Sequence, residues 1–223
     1  HHEHGIIKWN QLFQDSLIFS RGFIVSKRLN KLLNWATHVQ KDKYAMKIYF
    51  NKDKPKKVGE IVNNEQLYIS LKDLSQNPYS IKDGNLAKSI ANKVKHKITL
   101  KDLKSWKTIK RNPICMNYYG YSICGFPPPT SGGVGVLQIL GILKKFKSKN
   151  NLLLSQHLFL ESSRLAYSDR DTFIADPDFF EVPLTGLLTK NYLLNRANEI
   201  NINKANHNFS HGNPSKFKNK NLI

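Results

Sequence analysis

The sequence predicts an α+β fold, rich in helix and carrying one β-hairpin. Three observations predict it. Apolar residues recur at helical spacing in segment after segment, the pattern of helices with one buried face. That pattern gives way to a β pattern over residues 108–126, with Tyr119-Gly120 at its centre in the composition of a hairpin turn. Directly after it, Gly125-Phe126-Pro127-Pro128-Pro129-Thr130-Ser131-Gly132-Gly133-Val134 joins an extended stretch to an apolar run. Each proline fixes φ and disfavours helix in the residue before it, and the paired glycines permit a tight turn before a helix starts.

From the amino end, residues 9–21 carry Leu12, Phe13, Leu17 and Ile18 at helical spacing, and Gly22 stops that helix. Ser26 caps a second helix bearing Leu29, Leu32, Leu33 and Ala36. Residues 46–50 and 57–62 read as short strands around a turn-prone stretch, 51–55. Asn63 or Asn64 opens a helix through Leu67, Leu71 and Leu74, which Asn77-Pro78 terminates. Residues 86–94 predict another helix, and Thr99 with Asp102 has the spacing of a capping box at the start of a short one.

With Tyr119-Gly120 as a two-residue loop, Tyr118 faces Tyr121 and Cys115 faces Cys124. The two cysteines of the chain are then cross-strand neighbours, either bonded or two free thiols, since bridging geometry is narrow. Residues 133–146 predict an apolar helix with Lys144-Lys145 near its carboxyl-end dipole. Residues 154–174 predict a long helix stopped by Asp176-Pro177, and residues 189–200 the last one. From Asn201 on, Asn, Lys, Ser and His dominate, and the segment is expected to be mobile. No internal repeat and no interdomain linker is evident.

A chain of 223 residues with 40% hydrophobic residues and 12 Phe has enough apolar surface for one good core or two small ones. No apolar run approaches the ~20 residues that span a bilayer. The net charge of +19 suggests a polyanion partner, but only six of the 35 basic residues are arginine, and the lysines are scattered. Arginine is the favoured bidentate reader of phosphate and guanine, whereas lysine acts as a point charge. Lys, Asn and Ile, all with A/T-rich codons, are abundant together, so base-composition drift explains the charge better than selection for nucleic acid. The expectation is no nucleic-acid partner.

Several constellations invite a chemical reading. Thr130-Ser131-Gly132-Gly133-Val134-Gly135 at a helix start would cradle a phosphate, or it is a turn that lets the helix approach the hairpin closely. It lacks the Gly-Lys-Ser/Thr ending of a P-loop, which favours the turn. Ser131 lacks the surrounding pattern of a nucleophile elbow. Asp169, Asp171, Asp176 and Asp178 have no EF-hand spacing and include Arg170, so no metal is expected. Asp176 and Asp178 instead suit a turn around Pro177, with Arg164 or Arg170 joining a buried ion network. Histidines at 1, 2, 4, 207 and 211 lie towards the two ends, where metal capture would be incidental.

The proline segment closely resembles the Pro-Pro-Pro-Ser-Ser-Gly-Gly segment of γ-glutamyltranspeptidases, which are N-terminal-nucleophile hydrolases. Residues 9–25 resemble the family helix that ends in an Arg/Glu-Asp-Gly-Phe turn. Tyr79-Ser80-Ile81-Lys82-Asp83-Gly84 is similar to its Phe-Tyr-x-Gly turn, and Thr99-Leu100-Lys101-Asp102-Leu103 to its Ile-Thr-x-x-Asp-Leu helix start. Glu161-Ser162-Ser163-Arg164-Leu165-Ala166-Tyr167-Ser168-Asp169-Arg170 resembles the family's Glu-Ala-x-Arg-Leu-Ala-Tyr-Ala-Asp-Arg, followed by Asp176-Pro177-Asp178-Phe179 and Val182-Pro183. Any one match is weak, but five in the family's order are strong. Thr130 stands where the family segment has serine.

The resemblance implies the later part of the large subunit: a portion of the αββα sandwich over residues 1–200, and a linker over 201–223. In such enzymes a precursor cuts itself before a threonine, which becomes the amino-terminal nucleophile of the small subunit. No Thr follows Thr189 here, so that nucleophile is expected beyond Ile223, and the arginine that grips the substrate carboxylate before His1. No catalytic, substrate-binding or metal residue is therefore expected within the chain. Pro127, Pro128, Pro129, Ser131, Gly132, Gly133, Arg164, Asp169, Arg170, Asp176 and Pro177 are family-motif positions with structural roles.

The implied enzyme is a γ-glutamyltransferase and glutathione hydrolase that needs no cofactor. Its partners would be the small subunit of the same precursor and glutathione or another γ-glutamyl donor. Its location would be periplasmic or extracellular, although no signal segment is recognisable. The alternatives are an inactive remnant of that enzyme, or a basic module that binds nucleic acid.

Overall fold

The computed structural model describes residues 1–95, 97–147 and 151–217. The chain divides into two compact units, His1–Thr108 and Ile109–Ile223.

In the first unit a 3-10 turn, Trp9–Phe13, leads into α1, Gln14–Arg21, so the helix expected over 9–21 begins more tightly wound. The Trp9 indole N–H donates to the Leu74 carbonyl at 2.8 Å, which ties the start of the chain to a later helix. Strand β1, Phe23–Ile24, is followed by α2, Lys27–Trp35, capped as expected by Ser26, whose Oγ accepts from Leu29 N at 3.1 Å.

Residues 46–49, expected as strand, lie instead in α3, Lys43–Tyr49. Asp42 is the reason. Its carboxylate accepts from the backbone N–H of Tyr44 and Ala45, both at 2.8 Å, and Ala45, Met46 and Lys47 extend the turn as good helix formers. Those two backbone donors hold the Asp42 carboxyl below its ordinary pKa. Only β2, Phe50–Asn51, and β3, Lys54–Pro55, form a small ribbon. The strand expected over 57–62 shrinks to β4, Ile61–Val62, which pairs antiparallel with β1. Helix α4, Glu65–Gln76, opens at Asn64 and ends just before Asn77-Pro78. Helices α5, Ser80–Asp83, α6, Asn85–Val94, and α7, Leu100–Ser105, complete the unit. The capping box at α7 is reciprocal: Thr99 Oγ1 accepts from Asp102 N, and Asp102 accepts from Thr99 N. Val25, Val62 and Ala87 are fully buried at the centre, with Leu33 and Phe50 nearly so.

The second unit opens with β5, Ile114–Tyr118, and β6, Tyr121–Gly125. Their register pairs Tyr118 with Tyr121 and Cys115 with Cys124. Tyr119 and Gly120 both take positive φ, 50° and 90°, as a two-residue turn matching the strand twist requires. The cysteines are joined in a disulfide with Cα atoms 4.1 Å apart, which closes the choice left open by the sequence.

Helix α8 spans Gly132–Leu143 and stops short of residue 146. Helix α9, Leu152–Phe173, starts two residues earlier than expected because the Asn151 side chain accepts from Leu154 N at 3.0 Å. Helix α10, Leu184–Leu188, is too short to display a period in sequence. Helix α11, Lys190–Ala197, is capped by Thr189. Two apolar clusters hold these elements together. One contains Ile142, Leu158, Leu165, Leu193, Ala197 and Ile200, with Met116 and Phe209 packed against it. The other contains Val134, Leu187 and Tyr192, with Ile114 and Phe217 alongside.

Candidate functional site

The quoted motifs of the second unit converge on one region, where the hairpin, α8, α9 and α11 meet. The proline segment forms its entrance. Pro128 is buried and the Pro128–Pro129 peptide is cis. A Cβ on Gly133 would lie 2.9 Å from Phe126 N and 2.9 Å from the Gly125 carbonyl carbon, and closer still to the Phe126 carbonyl oxygen. All of these are backbone atoms that cannot rotate away, so only glycine lets the helix begin against the hairpin. The close-packing turn, rather than a phosphate cradle, accounts for this glycine. Pro127, Pro128 and Pro129 border an open cleft of about 590 Å³ together with Arg111 and Asn112. Arg111 is committed elsewhere, with Nη2 at 2.9 Å from Asp178 and 3.7 Å from Asp176. Asp176 turns the chain around Pro177 by accepting from Asp178 N at 3.1 Å.

Arg170 Nε donates to Ser131 Oγ at 3.0 Å and pins α9 to the start of α8. That serine hydroxyl therefore serves a guanidinium, not a base. Arg170 also pairs with Asp171 and remains half-exposed. Arg164 donates to the buried Glu161 at 3.1 Å and to the Asn206 carbonyl at 3.0 Å. Neither arginine is the buried one.

Arg196 is, a residue outside every motif quoted above. It is 1% exposed and sits with Nη2 at 3.3 Å from Asp169 Oδ1, whose side chain is wholly buried. A signal was available, because Tyr192, Leu193, Arg196 and Ala197 share the i, i+1, i+4, i+5 face of α11. A charge on that buried face demands a counter-charge. Asp169 Oδ2 accepts from Gln138 Nε2 at 2.9 Å and from the Tyr192 hydroxyl at 2.7 Å. Asp169 Oδ1 accepts from Gly212 N at 2.9 Å. Arg196 Nη1 grips Glu199 at 2.8 and 2.9 Å, while Nη2 reaches the Ser210 carbonyl at 2.8 Å. Burial, and then the neighbouring Asp169 carboxylate, push the Tyr192 phenol well above its ordinary pKa.

Residues 201–217, expected to be mobile, are tied onto this network. Asn206 N donates to Glu161 at 3.2 Å, Gly212 N to Asp169, and the Ser210 carbonyl accepts from both Arg196 and Ser168. Phe209 packs on one apolar cluster and Phe217 on the other. Pro214 is buried beside Gly186. The segment is polar in composition, yet it is its backbone N–H groups that reach the two buried carboxylates. Residues 218–223 of the expected linker lie outside the described residues.

The Asp169 carboxylate at the centre of this network is fully engaged. Both oxygens of Asp169 are saturated by donors, so it is built to hold, not to exchange protons with a substrate. Among the described residues no group of three or more His, Cys, Asp or Glu is placed to hold a metal. No helix among them is long and apolar enough to cross a membrane.

The architecture is that of part of an N-terminal-nucleophile hydrolase. It matches a cephalosporin acylase from Bacillus halodurans with a TM-score of 0.84, over 96% of this chain and 42% of that one, at 23% identity. This is a likeness of fold alone. The chain belongs to the γ-glutamyltranspeptidase family, whose model matches residues 1–221. It is 33% identical over 213 residues to a glutathione hydrolase proenzyme of Escherichia coli K12, covering 91% of this chain and 37% of that protein. A γ-glutamyltranspeptidase of Helicobacter pylori is similar in structure, with a TM-score of 0.80 at 25% identity, over 97% of this chain and 63% of that one. The chain thus spans well under half the length of the E. coli relative.

Proposed function

We propose that this chain is the later part of the large subunit of a γ-glutamyltransferase and glutathione hydrolase. The observation that carries the reading is the family match across residues 1–221, nearly the whole chain. In this reading a threonine beyond Ile223 becomes the amino-terminal nucleophile after self-cleavage. Its hydroxyl attacks the γ-glutamyl amide of glutathione or a related donor, and its own α-amino group serves as base. Backbone N–H groups stabilise the tetrahedral oxyanion. Water or an acceptor amine then releases the glutamyl group, with no cofactor. The small subunit of the same precursor is the obligatory partner, and the location is periplasmic or extracellular.

The residues seen here supply scaffold. The Asp169–Arg196 network and the Ser131–Arg170 bond support that role, since each joins one structural element to another. The test is expression of the complete reading frame, followed by gel analysis, amino-terminal sequencing of the smaller product and a γ-glutamyl-anilide assay. Two bands, a threonine at the new amino terminus and anilide release are expected. The 223-residue chain alone is expected to show no turnover. An uncut, inactive product would leave only the reading as an inactive remnant. A salt-sensitive shift of DNA at physiological ionic strength would instead favour the basic binding module.

A further inference from the structure

Glu161, Asp169 and Arg196 are each at most 1% exposed, and each spends a hydrogen-bonding atom on the backbone of residues 206–212. Buried charges are costly unless each is paired and hydrogen-bonded, and part of that bonding here comes from one defined register of the strap backbone. Gly212 strengthens the point. A Cβ there would lie 2.9 Å from Cε2 and Cζ of Tyr192 and closer to its hydroxyl, so the strap passes directly against the hydroxyl end of the ring. Two aromatic anchors, Phe209 and Phe217, then fix the strap at separate apolar clusters. A tail that needed only tethering would be held by either anchor.

We propose that Glu161, Asp169 and Arg196 form a positioning latch for self-cleavage. They hold residues 206–217 along α9 and α11 in one register, and that fixed register limits the conformations from which the junction is cut. The inference rests on the functional reading above, in which a cleaved junction follows this chain. In that reaction one peptide bond is hydrolysed. Water supplies the oxygen of the new carboxylate, and the nitrogen leaves as the threonine's free amine. The latch residues touch none of these atoms. They act through the strap, by restricting the approach of the bond to its nucleophile, and a misplacement of about 1 Å at such a site costs on the order of 100-fold in rate.

The test uses the complete precursor, wild-type and with Gly212→Ala or Asn206→Pro. The alanine pushes the strap off Tyr192 and the proline removes the N–H that Glu161 accepts, while all buried charges remain. Three readouts are taken: hydrogen exchange over 201–217, the half-time of self-cleavage, and anilide turnover per cleaved molecule. Faster exchange confined to the strap is expected, with cleavage slowed roughly 10–100-fold and turnover of the cleaved molecules at the wild-type level. A purely structural role would lower the yield of folded protein without slowing cleavage per folded molecule. Variants that release the strap yet cleave at the wild-type rate would overturn the latch, as would variants in which exchange over the strap does not change. A wild-type precursor that never cleaves would sink the functional reading, and the latch with it, which keeps the two failures distinct.

Discussion

Replacing Arg196 by methionine is the sharpest perturbation of this chain. The guanidinium and the Asp169 carboxylate are both shut off from solvent, so the substitution strands a buried negative charge. Breaking such a pair from one side costs about 3–5 kcal/mol. The remaining contacts place the value within that range. Asp169 keeps three donors, Gln138 Nε2, the Tyr192 hydroxyl and Gly212 N, and bonds of this charge-assisted kind contribute about 1.5–3 kcal/mol each. They hold the carboxylate in place, which moves the expected loss to the lower end, about 3 kcal/mol, or roughly 150-fold in the unfolding constant.

Pairing Arg196→Met with Asp169→Asn refines the test. Among the described residues Gln138 Oε1 has no hydrogen-bond partner, so the amide of Gln138 can turn over and accept from the new asparagine. The double variant should then lose less than the sum of the singles, by about 1 kcal/mol or more. Urea unfolding followed by far-ultraviolet circular dichroism, together with hydrogen exchange in α9 and α11, reads both numbers. An Arg196→Met protein within about 0.5 kcal/mol of wild type would mean that the pair is not a buried, uncompensated one, because that loss is ordinary for a surface site.

Gly133→Ala should destabilise by about 1–3 kcal/mol or more, because the methyl meets immovable backbone of Gly125 and Phe126, whereas Gly135→Ala meets nothing and should be neutral or better; thermal melts of the two variants compare them directly. Tyr192 should contribute no phenolate absorbance in alkaline titration until the second unit unfolds, since its folded pKa is raised by burial and by Asp169. Its stabilisation is therefore complete below the unfolded value near 10 and falls as pH rises above it. At the acid end, Asp42 and Asp102 have lowered values because backbone donors at their helix starts hold the carboxylates. Their caps are thus fully present above the unfolded value of 3.8 and are lost as pH falls through the lower folded values, which amide exchange in α3 and α7 would report as fraying below pH 3.8.

The family and most helices were legible in the sequence because they rest on local rules. Ser26, Asn64, Thr99 with Asp102, and Thr189 announce helix starts through side chains that reach only two or three residues along the chain. The hairpin register follows from Tyr119-Gly120, since a two-residue turn leaves no freedom in pairing. Asp42 is as local a signal, but Ile48, Tyr49 and Phe50 are β-prone, and their composition masks the helix that the cap starts.

What the polar residues are for emerges once the chain is folded. Arg196 and Asp169 lie 27 positions apart, and no local pattern says that they meet. The segment 201–217 reads as a loose tail because its side chains are polar, yet its backbone supplies what three buried charges lack. Hydrogen-bond satisfaction of a buried charge is a property of the whole fold, and composition does not record it.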